Sequence, residues 1–168
     1  STLTDALYIP PPPHIAEEAM SDLEKFLHQD DGIPPLIRIG LAHAQFETIH
    51  PFLDGNGRVG RLLITFFLCS ENILNKPVLY LSHYFKQHQD AYYRYLQAIR
   101  DHGDWEGWLK FFLRGVTEVA YEATDTARKI VALREMHRQL IAEKFGNHAG
   151  KAMRLLEFVT LDRLARQP

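Results

Sequence analysis

A histidine, an aspartate, a glycine-rich turn and two arginines fall within twelve residues, His50-Pro-Phe-Leu-Asp-Gly-Asn-Gly-Arg-Val-Gly-Arg61. Gly55, Asn56 and Gly57 lie where a loop enters a helix, and Gly and Asn tolerate positive φ. Such a backbone turns successive N–H groups inward as an anion nest. The helix N-terminus adds unpaired donors and a partial positive charge. Arg58 and Arg61, spaced i, i+3, share one face of the first turn. Cations there oppose the helix dipole by about 0.3–1 kcal/mol each, which makes sense if the site binds a polyanion, because arginine grips phosphate oxygens in bidentate fashion. Asp54 supplies a hard oxygen ligand, and Mg²⁺ is commonly held by one or two carboxylates plus substrate phosphates. His50, at the other lip, is a base that takes a proton near neutral pH. A base facing a bound phosphate chain activates a hydroxyl for attack at phosphorus. Singly, each residue has a plainer reading as a turn former, a cap or a solvated charge. Together, in this order, they serve one reaction. No Gly-Lys-Ser/Thr follows, so this is not a Walker loop, and the later ligand positions of an EF-hand are missing.

The elements that must position this segment read as helices. His14–Leu27 repeats Ile15, Ala19, Met20, Leu23, Phe26 and Leu27 at helical spacing, after a stiff four-proline run Pro10–Pro13. Leu36–Ile49 carries Ile39, Ala42, Phe46 and Ile49 on one face, and Pro51 ends it near His50. After the loop 51–56, Val59, Leu62, Leu63, Phe66 and Phe67 mark an apolar helix to about Asn72, read as the buried central one. Asn75-Lys76-Pro77 is a turn; Val78–Leu81 is a short strand or a lead into the next helix. Helices are then expected over Lys86–Arg100, Asp104–Glu122 and Thr124–Phe145, with Gly146 as the stop. Leu7-Tyr8-Ile9 is the one other candidate strand. The expected fold is all-α, of about six or seven helices, with the loop between two central ones.

The 168 residues suit one ordinary domain, and 46% hydrophobic residues suffice for a core. A formal net charge of −2 gives no general drive toward nucleic acid or anionic membrane. The lone Cys69 excludes an internal disulfide, is expected to be a small buried hydrophobe, and fits a reducing compartment. No signal peptide or membrane span is apparent, so a cytoplasmic location is expected.

The segment His50–Arg61 resembles the motif of the Fic family, His-x-Phe-x-(Asp/Glu)-Gly-Asn-Gly-Arg-x-x-Arg, at every fixed position. The similarity extends over roughly residues 6–120, through Tyr8-Ile-Pro-Pro-Pro-Pro13, Ala42-His-Ala-Gln-Phe-Glu47, Leu79-Tyr-Leu-Ser82, Tyr92-Tyr93 and Trp108-Leu-Lys-Phe-Phe112. It implies a protein adenylyltransferase, with ATP as substrate and Mg²⁺ as cofactor. His50 would deprotonate a Ser, Thr or Tyr hydroxyl of a target protein, and Asp54 would hold the metal. Gly55, Asn56 and Gly57 would cradle the α- and β-phosphates. Arg58 would bind the β/γ-phosphates and Arg61 the γ-phosphate, with Val59 and Gly60 completing the nucleotide-binding stretch. Phe52 would be a buried loop anchor, and Tyr92 and Tyr93 would lie by the adenine, with packing in the helix core as the alternative for both tyrosines. His88 stands where many relatives have asparagine; His43 is expected to be a hydrogen-bonded structural histidine. Gly55 favours AMP transfer over the family's kinase-like branch, which has alanine there. Other donors, AMP removal, or a nucleotide-sensing module without catalysis remain alternatives.

The resemblance also implies a target-docking flap, of which Thr2–Ile9 would be the end, and an inhibitory helix or antitoxin-like partner whose glutamate meets Arg61. The pattern Ser/Thr-x-x-x-Glu-Gly/Asn is absent: Glu71-Asn72 and Glu106-Gly107 are preceded by Phe67 and His102 at the required position. The expected organisation is a catalytic core over 1–122 and a helical extension over 123–168, whose Lys151–Val159 pattern would begin a winged helix. Arg128, Lys129, Arg134, Arg138 and Lys144 there are expected to be a solvated face, nucleic acid being the alternative.

Overall fold

A computed structural model describes residues 8–74, 80–146, 149–150 and 153–155. Six helices can be bounded among them: α1 (Pro13–His28), α2 (Pro35–Ile49), α3 (Asn56–Ser70), α4 (Leu81–Gln87), α5 (Gln89–His102) and α6 (Trp105–Phe145); residues 149–150 and 153–155 are helical as well. No strand occurs among the described residues, so the all-α expectation holds. Tyr8 and Ile9 are irregular, and Leu81 opens α4. The rest of the flap, the turn at Asn75-Lys76-Pro77, residues 78–79 and most of the Lys151–Val159 pattern lie outside the described residues.

α1 and α2 each begin on a proline at the first helical position, Pro13 and Pro35, where the missing N–H has no intrahelical partner to lose. α1 turns Leu23 inward with Ala19, Met20, Phe26 and Leu27, while Ile15 stays exposed. The central buried helix is α2, not α3 as the apolar run suggested. On α3, Val59, Leu62 and Phe66 face outward. On α2, Ile39, Ala42, Phe46 and Ile49 are buried, and so are Arg38, His43 and Glu47. Those polar groups are tolerated at depth because they are bonded or lie beside opposite charge. Arg38, for instance, donates to the Phe26 carbonyl at 2.5 Å and to the Asp31 carboxylate. α2 packs against α1, α3 and α5.

Two expected boundaries move. Lys86–Arg100 is not one helix: Lys86 belongs to α4, and His88, at φ −111° and ψ 36°, separates α4 from α5. Conversely, α6 is continuous through Glu122-Ala123-Thr124, because neither glycine nor proline occurs between Gly115 and its end. Cys69 is half-buried rather than buried.

By its contacts the chain divides into two compact units, Ser1–Ala120 and Tyr121–Pro168. In the first, Trp108 and Phe112 of α6 are wholly buried, and the Trp108 indole N–H donates to the Gly40 carbonyl at 2.8 Å. Phe85, Phe111 and Tyr92 complete an aromatic cluster around Trp108. In the second, Arg128, Lys129, Arg134, Arg138 and Lys144 are all exposed, as expected of a solvated face.

Candidate active site

α2 delivers His50. Its chain ends with His50 in the left-handed region, φ 52° and ψ 56°, and the His50 N–H still donates to the Phe46 carbonyl at 2.9 Å. A non-glycine residue rarely adopts this conformation, and it turns the chain out of the helix axis into the loop.

The loop is closed by Asn56. Its side chain accepts from the Phe52 N–H at 2.9 Å and donates to the Phe52 carbonyl at 2.6 Å. Asn56 is buried, whereas Phe52 is about half-exposed, its ring 6.3 Å from that of Phe46. The buried anchor is therefore Asn56 and not Phe52: two backbone groups of residue 52 can be satisfied by one amide, and an apolar ring cannot do that.

Gly55 stands at the N-cap of α3 with φ 84°, which a side chain would strain. No side chain caps this helix, and its first turn holds no acidic residue. Its leading N–H groups thus have no intrahelical acceptor. Around this end stand Arg58 and Arg61. Arg58 donates to Asp54 at 3.1 Å, with both side chains largely exposed. Such a pair is worth little and opens readily. Arg61 folds back toward Gly57, its Nη1 lying 3.1 Å from where a Cβ would project. The Val59 N–H is already bonded to the Gly55 carbonyl at 3.0 Å, and Gly60 is buried against α2. These two residues shape the start of the helix.

Behind the loop lies a buried polar layer. His43 is fully enclosed, with Nδ1 3.0 Å from the Gly60 carbonyl and Nε2 3.0 Å from the Tyr92 hydroxyl. A carbonyl only accepts, so Nδ1 carries the proton. Burial pushes the His43 pKa down to about 4, and the structural role expected of it holds. Glu47 is also buried, with Oε1 lacking a hydrogen-bond partner. Desolvation raises its pKa, against the pull of His50, Arg61, Tyr92 and Arg100. Tyr92 belongs to this layer, in contact with Phe85 and Trp108, and presents no open face to a base. Tyr93 is exposed.

Gly60 makes the contact of α3 with this layer possible. A Cβ there would lie 2.6 Å from Glu47 Oε1 and 3.1 Å from both His43 Cε1 and Phe46 Cδ1. Gly60→Ala gains about 1 kcal/mol of helix propensity but costs about 1–3 kcal/mol of overpacking. The net expectation is a lower urea midpoint with an unchanged m-value. A midpoint at or above that of the parent would mean that Glu47 moves aside freely.

His50 and Tyr8 form a wall shared by two cavities. One, of about 830 Å³, is bounded by Pro10, Pro11 and Pro13, by Met20 and by Phe52. The other, of about 580 Å³, is bounded by Tyr93, Arg94, Gln97 and Arg100. No group of three or more His, Cys, Asp or Glu residues able to hold a metal occurs among the described residues. No helix among them is long and apolar enough to cross a membrane.

A left-handed histidine, an amide-locked loop and an uncapped, arginine-flanked helix start coincide with a family model described as Fic/DOC family, which matches residues 2–68. A crystal structure of a Fic family protein from Desulfovibrio desulfuricans G20 superposes with a TM-score of 0.67 at 31% identity, covering 73% of this chain and 38% of that one. The chain carries a Fic domain. Among curated relatives, a probable protein adenylyltransferase of Aquifex aeolicus (strain VF5) is 37% identical over 70 residues, 42% of this chain. The protein adenylyltransferase Fic of Culex quinquefasciatus is 35% identical over 120 residues, 70% of this chain. The chain spans 22% of the length of each. Beyond the motif, the Fic domain brings to its site three residues with no role in the motif reading: Glu47, Arg100 and Tyr8. Glu47 left a trace in the sequence, as a charge on the inward face of a helix and three residues before His50. Arg100 left none, because its approach depends on how α5 packs.

Proposed function

We propose that this Fic domain transfers AMP from ATP to a Ser, Thr or Tyr hydroxyl of a target protein. The observation that carries the reading is the pairing of His50, held in a strained backbone conformation, with the uncapped start of α3. Strain of this kind persists where the surroundings impose it, and functional sites are where it gathers. His50 takes the proton of the acceptor hydroxyl. The hydroxyl oxygen forms a bond to the α-phosphorus, the bond from that phosphorus to the bridging oxygen breaks, and pyrophosphate leaves.

The backbone N–H groups at Gly55, Asn56 and Gly57 receive the phosphates; the Asn56 side chain is engaged with Phe52 and takes no part. Arg61 and Arg58 neutralise the outer phosphates, Arg58 after leaving Asp54. A single exposed carboxylate fits a Mg²⁺ that draws its remaining ligands from phosphate and water. Asp54 would hold that ion, which would offset charge on the phosphate chain. Of the two tyrosines, Tyr93 is the one available to adenine, beside the cavity that also holds Arg94 and Gln97. The names of the curated relatives support the AMP transfer; a cytoplasmic setting and a restraining partner near Arg61 are part of the proposal alone.

Incubation with ATP labelled at the α- or the γ-phosphate, in the presence of Mg²⁺ and a lysate as target source, tests it. Labelled protein is expected from the α-label alone. Transfer from the γ-label alone would replace AMP transfer by phosphorylation, and transfer from neither would remove this reading of the donor.

A further inference from the structure

We infer that Arg100 and Tyr8 are positioning residues that clamp the end of α2 and thereby hold His50 in its left-handed conformation; the catalytic part of this inference rests on the proposed AMP transfer. The last carbonyls of a helix have no intrahelical donors of their own. Here chemistry sharpens the deficit. The Glu47 carbonyl would ordinarily accept from residue 51, but residue 51 is proline and has no N–H. The Thr48 carbonyl would accept from residue 52, but the Phe52 N–H is taken by Asn56.

Two distant side chains supply what is missing. Arg100 Nη2, from α5, donates to the Glu47 carbonyl at 3.3 Å. The Tyr8 hydroxyl donates to the Thr48 carbonyl. The two clamps are themselves coupled, since the Arg100 guanidinium lies 3.7 Å above the centre of the Tyr8 ring. Arg100 is further aligned by Gln97 at 3.3 Å, and its positive charge complements the negative end of the α2 dipole. Its buried Nε finds no partner, so the side chain is held at this depth by the carbonyl, the ring and the charges around it. With both carbonyls engaged, α2 cannot run on or fray past Ile49, and His50 is left to turn out between the two cavities that it and Tyr8 separate.

The test uses Tyr8→Phe, which removes only a hydroxyl, Arg100→Gln, and Arg100→Lys, which keeps the charge and a donor but not the fork. In AMP transfer, kcat is expected to fall about 10- to 100-fold in Tyr8→Phe and Arg100→Gln. KM for ATP is expected within about twofold of the parent, and Arg100→Lys should recover part of the loss. A kcat within about twofold of the parent in Tyr8→Phe and Arg100→Lys overturns the clamp, as does a loss that appears only in KM for ATP. The backbone φ of His50, read by cross-correlated NMR relaxation in the same proteins, is independent of activity. A φ that leaves the positive region in Tyr8→Phe supports the clamp even if the parent transfers no AMP, in which case only the proposed function fails. A φ that stays positive in Tyr8→Phe overturns it whatever the activity. Should Arg100→Gln fail to fold, Tyr8→Phe decides.

Discussion

Replacing His50 by alanine is expected to lower AMP transfer by about 10²–10⁴-fold, the usual worth of a positioned general base, while ATP binds as before. The separation follows from where the groups sit. The donors proposed for phosphate belong to the start of α3, on the far side of a loop whose closure depends on Asn56 and Phe52, not on His50. Alanine also gives up the imidazole without entering the core, since His50 is only partly buried. Calorimetry with ATP beside α-label transfer measures both quantities. Loss of ATP affinity in step with transfer would assign His50 to the binding surface and not to proton removal. The left-handed backbone adds a corollary: His50→Gly is expected to relax the strain and to lose transfer as far as His50→Ala does, because relief of strain is no substitute for the base.

A second large effect is expected from pH acting on His43. Its pKa is about 4 in the fold against an ordinary 6.5, so the unfolded chain binds this proton more tightly. The corresponding stabilisation is complete above about pH 6.5 and is lost as pH falls toward 4. At about 1.36 kcal/mol per pH unit it amounts to about 3 kcal/mol. Glu47 acts in the opposite sense. Its carboxyl is raised by burial, so its contribution is present below the ordinary value of 4.5 and declines as pH rises through the folded value. The two therefore offset each other in the acid range. Urea unfolding between pH 4 and 7 is expected to show a flatter pH dependence in His43→Gln and a steeper one in Glu47→Gln. Parallel curves for the parent and His43→Gln would show that His43 is not the group that titrates.

The reach of the sequence can be judged residue by residue. The spacing of Ile39, Ala42, Phe46 and Ile49 located α2 and its inward face, because helical periodicity is a local property. Periodicity could not rank the helices by depth. α3 is the more apolar through its middle, yet Leu62 and Phe66 are exposed, and α2 lies deeper because His43 and Arg38 find partners there. The break at His88 has no local signal in the sequence, since neither glycine nor proline marks it. Within the site, the order of residues from His50 to Arg61 was legible, but not how each is used. Asn56 reads as a turn former and acts through its side chain, and Tyr92, which the resemblance offered to adenine, takes the alternative of core packing and is buried beside His43. Arg100 is 53 residues from its acceptor on α2, and no local pattern encodes that meeting.

The amide of Asn56, which ties both backbone groups of Phe52 to the first residue of α3, has a consequence for recognition. Ordering one residue of backbone costs about 1–2 kcal/mol. The segment between Phe52 and Asn56 has already lost that freedom when the chain folds, so an arriving phosphate chain meets a receptor whose shape is complete. In the proposed reaction, encounter would then require no search among loop conformers, and discrimination between anions would fall to the arginine side chains, which could close on a long polyphosphate and stay open over a short one.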